Sequence, residues 1–214
     1  MKKYFFLFLF FSSFIFCDAF FIPPKDWEIA DPKKLSKHVD VGFIGKQKNS
    51  FRPSINLASE KTLSTLKEYV KAIKTLNQKD KNSSLRELGE INTQSGKAAL
   101  LEITKKNSFG DLRLLQQVFI HKKRAYILTA AAKKEDFNGY QKEIISSLQS
   151  FKITSDLLSE IKDTQKKALL EQKIEEYKSL KNIKILQDFV LDNFNDLGPY
   201  WKILVLKKAF SDGF

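Results

Sequence analysis

Residues 98 to 131 read AALLEITKKNSFGDLRLLQQVFIHKKRAYILTAA, and this stretch decides the fold class. It holds apolar segments rich in β-branched and aromatic side chains, which favour strands, separated by short polar connections. Lys122-Lys123 is short enough for a tight hairpin, and Lys105 to Gly110 has turn chemistry. Together with the segment before Gly96, the pattern predicts four strands in succession: Leu85 to Thr93, Ala98 to Thr104, Leu112 to His121 and Arg124 to Ala131.

Helical patterns lie on both sides of these strands. Apolar residues from Leu63 to Ile73 recur at helical spacing, and Thr65 with Glu68 forms a capping-box pattern, so we predict a helix over about 64–77. A second amphipathic pattern runs from Phe137 to Phe151. Upstream, alternation over Val39 to Phe43 and again over Phe51 to Leu57 predicts a hairpin.

Sequential antiparallel strands with single helices between them indicate an α+β fold. We predict one antiparallel sheet of about six to seven strands, with helices packed on it and a helical C-terminal extension. The chain divides at residues 1–19, 20–153 and 154–214, which we interpret as a signal peptide, the α+β domain and the extension.

The N-terminus has the pattern of a secretory signal peptide. Lys2 and Lys3 precede an apolar run over Tyr4 to Phe16, which is too short to span a bilayer as a helix. Small residues at Cys17 and Ala19 predict cleavage after Ala19. Two alternatives stay open. Cys17, the single cysteine, could be lipidated, although Phe16 fits a lipobox poorly, or the leader could remain as an uncleaved anchor.

Charge is concentrated in the predicted domain. The chain carries a net charge of +12, and residues 20–151 hold 24 Lys and Arg against 14 Asp and Glu, whereas residues 152–214 are nearly balanced. A basic domain suits acidic protein surfaces, anionic lipid or nucleic acid. Only four of the 37 cations are arginine, the residue best suited to phosphate and guanine, so the composition argues against nucleic acid.

The extension has a Lys/Glu-rich helical texture. It shows a weak apolar stripe over Leu158 to Leu169 and a stronger one over Ile183 to Leu197. Its last segment, Tyr200 to Leu206, is the most apolar stretch after the leader. This segment either docks on the domain as a helix or strand, or is an exposed element that binds a partner or a membrane.

Several of these stretches resemble the PsbP-like fold family, which includes bacterial DcrB-type envelope proteins and effector chaperones of type VI secretion. IPPKDW over 22–27 resembles the family's N-terminal entry segment, FRPSIN over 51–56 one of its strands, and LKEYVK over 66–71 its helix. Ile144 to Lys152 resembles its final helix and closing tail, which ends in Ser150-Phe151-Lys152. The resemblance covers residues 21 to 153. It implies an α/β/α sandwich around an antiparallel sheet, and it carries no catalytic residues over.

The sequence offers few groups for chemistry. His38 and His121 are the only histidines, and common phosphate, dinucleotide, hydrolase and metalloprotease motifs are missing. We expect neither a metal nor a cofactor. Side-chain alternation places Glu87 and Glu90 on opposite faces of one strand, which would prevent them from acting as an acid/base pair. Arg52 and Asn56 share a strand face, either as structural braces or as contacts for an acidic ligand.

These observations favour an exported, non-enzymatic protein-binding or chaperone-like module of the bacterial cell envelope, either periplasmic or envelope-associated. A small-molecule substrate is disfavoured. The alternative is a peripheral protein that binds anionic lipid through lysines and C-terminal aromatics. The residues that we expect to contact a partner are Arg52, Asn56, Tyr200, Trp201 and Leu204.

Overall fold

The computed structural model describes residues 17–46, 51–108, 110–180, 183–211 and 214. The predicted leader, residues 1–19, lies outside the described residues except for residues 17–19. Nine strands are described: β1 Asp18–Phe20, β2 Glu28–Ile29, β3 Val39–Ile44, β4 Ser54–Lys61, β5 Ser83–Thr93, β6 Gly96–Asn107, β7 Gly110–His121, β8 Arg124–Lys133 and β9 Lys152–Thr154. Five α-helices are described: α1 Leu66–Lys79, α2 Phe137–Gln149, α3 Thr164–Leu180, α4 Ile183–Asn193 and α5 Gly198–Phe210.

Seven of the described strands form one sheet in the order β2-β3-β4-β8-β7-β6-β5, with every neighbouring pair antiparallel. The fold is α+β, as the sequence predicts. Strands β5 to β8 are consecutive hairpins, and Lys122 and Lys123 form the β7–β8 turn with φ of 45° and 61°. A two-residue hairpin turn of type I′ requires this left-handed backbone at both positions.

The prediction that Glu87 and Glu90 lie on opposite faces of one strand is wrong. The β5–β6 register shifts between Glu87 and Gly89, so one extra residue bulges out of β5. Because of the bulge, Glu87 lies opposite Leu101 and Glu90 opposite Ala99, and both glutamates point to the same face of the sheet. They form separate ion pairs there, Glu87 with Lys74 at 2.8 Å and Glu90 with Lys97 at 3.0 Å.

Helix α1 covers part of one sheet face. Its N-cap Thr65 accepts a hydrogen bond from the Glu68 backbone N–H, and the Glu68 carboxylate accepts one from the Thr65 N–H, which confirms the predicted capping box. Val70 of this helix packs in a small core with Ala99, Leu101 and Val118. This face of the sheet is called the α1 face below.

The opposite face carries the main core. Helix α2 packs there, and so does the extension, whose buried side chains belong to the same cluster as those of the sheet. Trp201 is fully buried and donates its indole N–H to the Leu157 carbonyl at 3.0 Å. The Tyr200 ring lies 6.0 Å from the ring of Phe21 in the domain, so the extension docks on the domain and the first of the two readings of Tyr200 to Leu206 is correct.

The two ends of the domain meet at a second small sheet. Strand β1 pairs antiparallel with β9, with Asp18 opposite Thr154 and Phe20 opposite Lys152. Phe20 and Phe21 are buried in the main core. Gly198, at the start of α5, has φ of 79°, and a Cβ there would lie 3.3 Å from the Ile22 side chain, so this position suits glycine on both counts.

Candidate functional site

The extension is built from three helices that bury one face each. Helix α3 buries Leu170, Ile174 and Tyr177, which lie at helical spacing. The weak stripe predicted from Leu158 to Leu169 is wrong in its second half, because Leu169 is 47% exposed and the buried face of α3 begins at the next residue. Helix α4 buries Leu186 and Val190. Helix α5 buries Trp201 and Val205.

A buried lysine fixes the junction of α4 and α5. Lys202 is 6% exposed, and its Nζ donates to the Leu191 carbonyl near the end of α4 and to the Asn195 side-chain oxygen at 2.6 Å. The first contact satisfies a backbone carbonyl that a helix C-terminus otherwise leaves without a partner. Desolvation lowers the pKa of Lys202, while Asp192 and Asp196 act in the opposite direction. The extension is thus tied together by a charged group as well as by apolar contacts.

The outer surface of the extension exposes several large hydrophobic side chains. Among the described residues, 12 large hydrophobic side chains are exposed, and seven of them belong to the extension: Leu169, Leu180, Ile183, Ile185, Leu191, Ile203 and Phe210. The extension is less than a third of the chain, so this surface is concentrated there. Scattered exposed hydrophobics are normal in soluble proteins, but a concentration of them marks an interaction surface.

Part of this surface lies at one end of the extension. The Phe210 ring of α5 lies 5.2 Å from the Tyr177 ring of α3, measured between centroids. Leu180 lies one turn beyond Tyr177 and is 72% exposed, and Ile183 begins the next helix. We call Leu180, Ile183 and Phe210 the apolar tip, and the buried Tyr177 ring lies beside Phe210 beneath it.

Lysines lie around the apolar tip. Lys184 and Lys207 are exposed. Lys178 bonds to Glu175 at 2.8 Å, and Lys208 lies 5.2 Å from the centroid of the Phe214 ring. A surface that combines exposed apolar side chains with lysines can contact an acidic protein surface or an anionic membrane.

Two of the residues expected to contact a partner are part of the core instead. Trp201 is fully buried and Tyr200 is 6% exposed, with its ring 6.0 Å from that of Phe21. The expectation that they bind a partner is therefore wrong, because their faces of α5 are turned into the domain. Leu204 is partly buried against the same core. The outward positions of α5 are Ile203, Lys207 and Phe210, and helical spacing alone does not separate them from the inward ones because apolar residues lie on both sides of this helix.

Arg52 and Asn56 are not brought together as a binding pair. Arg52 precedes β4, and its guanidinium donates to the Gly45 carbonyl at 2.9 Å and to Glu28 at 3.0 Å. It braces the segment between β2 and β4, which is the structural role considered from the sequence. Asn56 lies within β4, opposite Gly42 on one side and Thr129 on the other.

Cys17 lies beside a cavity of about 350 Å³ at the β1–β9 end of the molecule. His121, Lys122, Thr154 and Ser155 are among the lining residues, and the Lys122 Nζ lies 3.6 Å from the Cys17 sulfur. In the part of the chain that the structure describes, no three His, Cys, Asp or Glu side chains gather as a metal site. None of the described helices is both long enough and apolar enough to cross a bilayer.

Comparison with known proteins yields structural similarities only. No family model matches the chain. No curated protein matches it either. Among solved structures, it is similar to LpqN of Mycobacterium tuberculosis, described as involved in cell envelope biogenesis, with 12% identity and a TM-score of 0.48 over 64% of this chain and 84% of that one. It is also similar to the cyanobacterial PsbP protein CyanoP of Synechocystis, with 13% identity and a TM-score of 0.45 over 66% and 95% of the two chains.

Proposed function

We propose that this chain is an exported, non-enzymatic module of the bacterial cell envelope that binds a protein partner through the outer surface of its extension. One observation carries the proposal: the inner faces of α3, α4 and α5 are fixed in the domain core, while their outer faces hold seven of the exposed large hydrophobic side chains described. Leaving such side chains in water is unfavourable, and burying them against a partner is favourable.

The proposal assigns separate roles to the two sides of the extension. Buried Trp201 and Lys202 hold the helices in place, so the surface that they support is preformed. A preformed surface loses less conformational freedom on binding than a flexible tail does. Cutting the chain at Ile153 would uncover the main core, so point substitutions on the outer surface are the better test.

The test is site-specific photo-crosslinking in the envelope of the native host. A photoreactive residue at Ile203 or Phe210 is expected to capture one discrete partner, and the same residue at Leu76, which is 66% exposed on α1, is the matched control. Ile203→Glu should abolish capture from Phe210, while Leu76→Glu should leave it intact. Equal capture from Leu76 and Phe210, or no loss with Ile203→Glu, would contradict the proposal.

The second candidate function is attachment to an anionic membrane surface, which is favoured by the exposed Lys184 and Lys207 around the apolar tip. It no longer involves Tyr200 and Trp201, since these are buried. Flotation with vesicles of phosphatidylglycerol, compared with phosphatidylcholine across a salt series, tests it. Binding that needs the anionic lipid and is lost in Lys184→Glu/Lys207→Glu would support this function, and equal flotation of both vesicle types would exclude it.

A further inference from the structure

The structure gives a role to the residues that directly follow the predicted leader. Asp18, Ala19 and Phe20 form β1, and each faces a residue of β9. Cleavage after Ala19, the position expected from the sequence, would divide this strand and leave Phe20 as its only residue. We infer that the mature protein instead retains Asp18 and Ala19, so that any cleavage of the leader occurs on the N-terminal side of Asp18.

Strand β1 completes the two-stranded sheet with β9, and this small sheet is hydrogen-bonded to neighbouring segments of the domain. Its partner β9 is held on the other side, where the Ile153 N–H donates to the Ser95 hydroxyl at 2.7 Å. Just after β1, the Ile22 N–H donates to the Ser150 hydroxyl at 2.8 Å. Without Asp18 and Ala19, part of the β9 edge would lose its backbone partners.

Asp18 also links the N-terminal segment to the extension. Its carboxylate lies 3.5 Å from Lys208 Nζ on α5, and both side chains are about three-quarters buried. Removing Asp18 would leave this lysine without its acidic partner. A charge that loses its partner in a partly buried site is destabilising.

The new chain end would itself be badly placed. Cleavage after Ala19 creates a positively charged amino group on Phe20, which is 4% exposed, next to fully buried Phe21. A charged group in such a position must be desolvated or must pull the strand away from the core. Cleavage before Asp18 places that charge at the edge of the small sheet instead, where the carboxylate of Asp18 is close by.

Signal cleavage acts on a chain that has not yet folded, so the fold does not direct the cut itself. The fold determines which of the cleaved proteins is stable. A cleavage product beginning at Phe20 would fold with part of β1 missing and would be the less stable protein. Products that begin at Cys17, with or without a lipid, or further upstream keep β1 complete.

The first test is mass spectrometry of the N-terminal peptide, using the full chain expressed with its own leader and recovered from the envelope fraction. A first residue at or before Asp18 is the expected result. A first residue at Ala19 or beyond would overturn the inference, whatever partner the extension proves to bind.

The second test compares two purified chains, beginning at Asp18 and at Phe20, each released from a cleavable tag. The shorter chain is expected to melt about 2 to 4 °C lower or more, the shift that a loss of about 1 kcal/mol produces in a domain of about 150 to 250 residues. Lys208→Met should lower the melting temperature of the longer chain, and it should raise that of the shorter chain, where the lysine has no acidic partner. Equal melting of the two chains would overturn the inference.

Discussion

The two faces of the seven-stranded sheet are covered in different ways. On the α1 face, one helix packs over a small cluster around Val70, Leu101 and Val118. On the opposite face, α2 and the extension bury a continuous core that includes Phe21, Phe151 and Trp201. The residues after Ile153 therefore supply a layer of the fold, although their Lys/Glu-rich composition differs from that of the domain.

Because the larger core lies between the sheet and the extension, we expect truncation of a buried side chain of the extension to cause the largest loss of stability. Trp201→Ala should lower the free energy of unfolding by about 3 to 5 kcal/mol, because it leaves a cavity and removes the hydrogen bond to Leu157. Urea denaturation measures the change. Ile203→Ala, on the outer side of the same helix, is the control and should cost much less. Similar losses for the two variants would mean that the extension does not belong to the main core.

Leu101→Ala tests the α1 face. Leu101 is fully buried, and its truncation should lower the free energy of unfolding by about 2 to 3 kcal/mol. We expect a smaller effect than for Trp201 because a single helix can shift toward the space that is left. A loss larger than that of Trp201→Ala in the same denaturation assay would reverse the ranking of the two faces.

Thr65→Ala tests how α1 is anchored at its start. The substitution removes the side-chain oxygen that accepts from the Glu68 N–H and should cost about 1 kcal/mol. Thr75→Ala is the matched control, since the Thr75 hydroxyl bonds back to the Lys71 carbonyl within the same helix. Circular dichroism during urea denaturation should separate the two variants, and equal midpoints would count against the cap.

The smallest expected effect is a pH dependence at the same cap. Hydrogen bonds from the backbone N–H and then the hydroxyl of Thr65 lower the pKa of Glu68. A carboxyl group whose pKa is lower in the folded state stabilises the fold above its ordinary pKa, and this contribution disappears as the pH falls through the folded value. The stability difference between the wild type and Glu68→Gln should therefore shrink below about pH 4.5. A difference that stays constant down to pH 3 would rule out this linkage.

Strands β5 to β8 and helix α1 could be predicted from the sequence because their determinants are local. The hairpin turn at Lys122-Lys123 and the cap at Thr65 lie within the segments that they organise. The bulge in β5 was missed, although Gly89 in the middle of a strand pattern is a recognised sign of one.

The proposed binding surface could not be predicted in the same way. Which side of α5 is outward depends on the contact between Trp201 and Leu157, residues 44 positions apart in the chain. Composition marks Tyr200 to Leu206 as apolar but does not say which of its residues face water. The same limit applies to β1, since its partner β9 lies more than 130 residues away.

The contact between Asp18 and Lys208 brings the two ends of the folded chain to one place. The path of the backbone is nearly a closed loop, and a short linker from residue 211 back to residue 18 could complete it. Because chains whose termini are neighbours tolerate circular permutation at exposed turns, the protein could be reopened at Lys122-Lys123. In such a permutant β1 would become an internal strand, and no processing event could remove it.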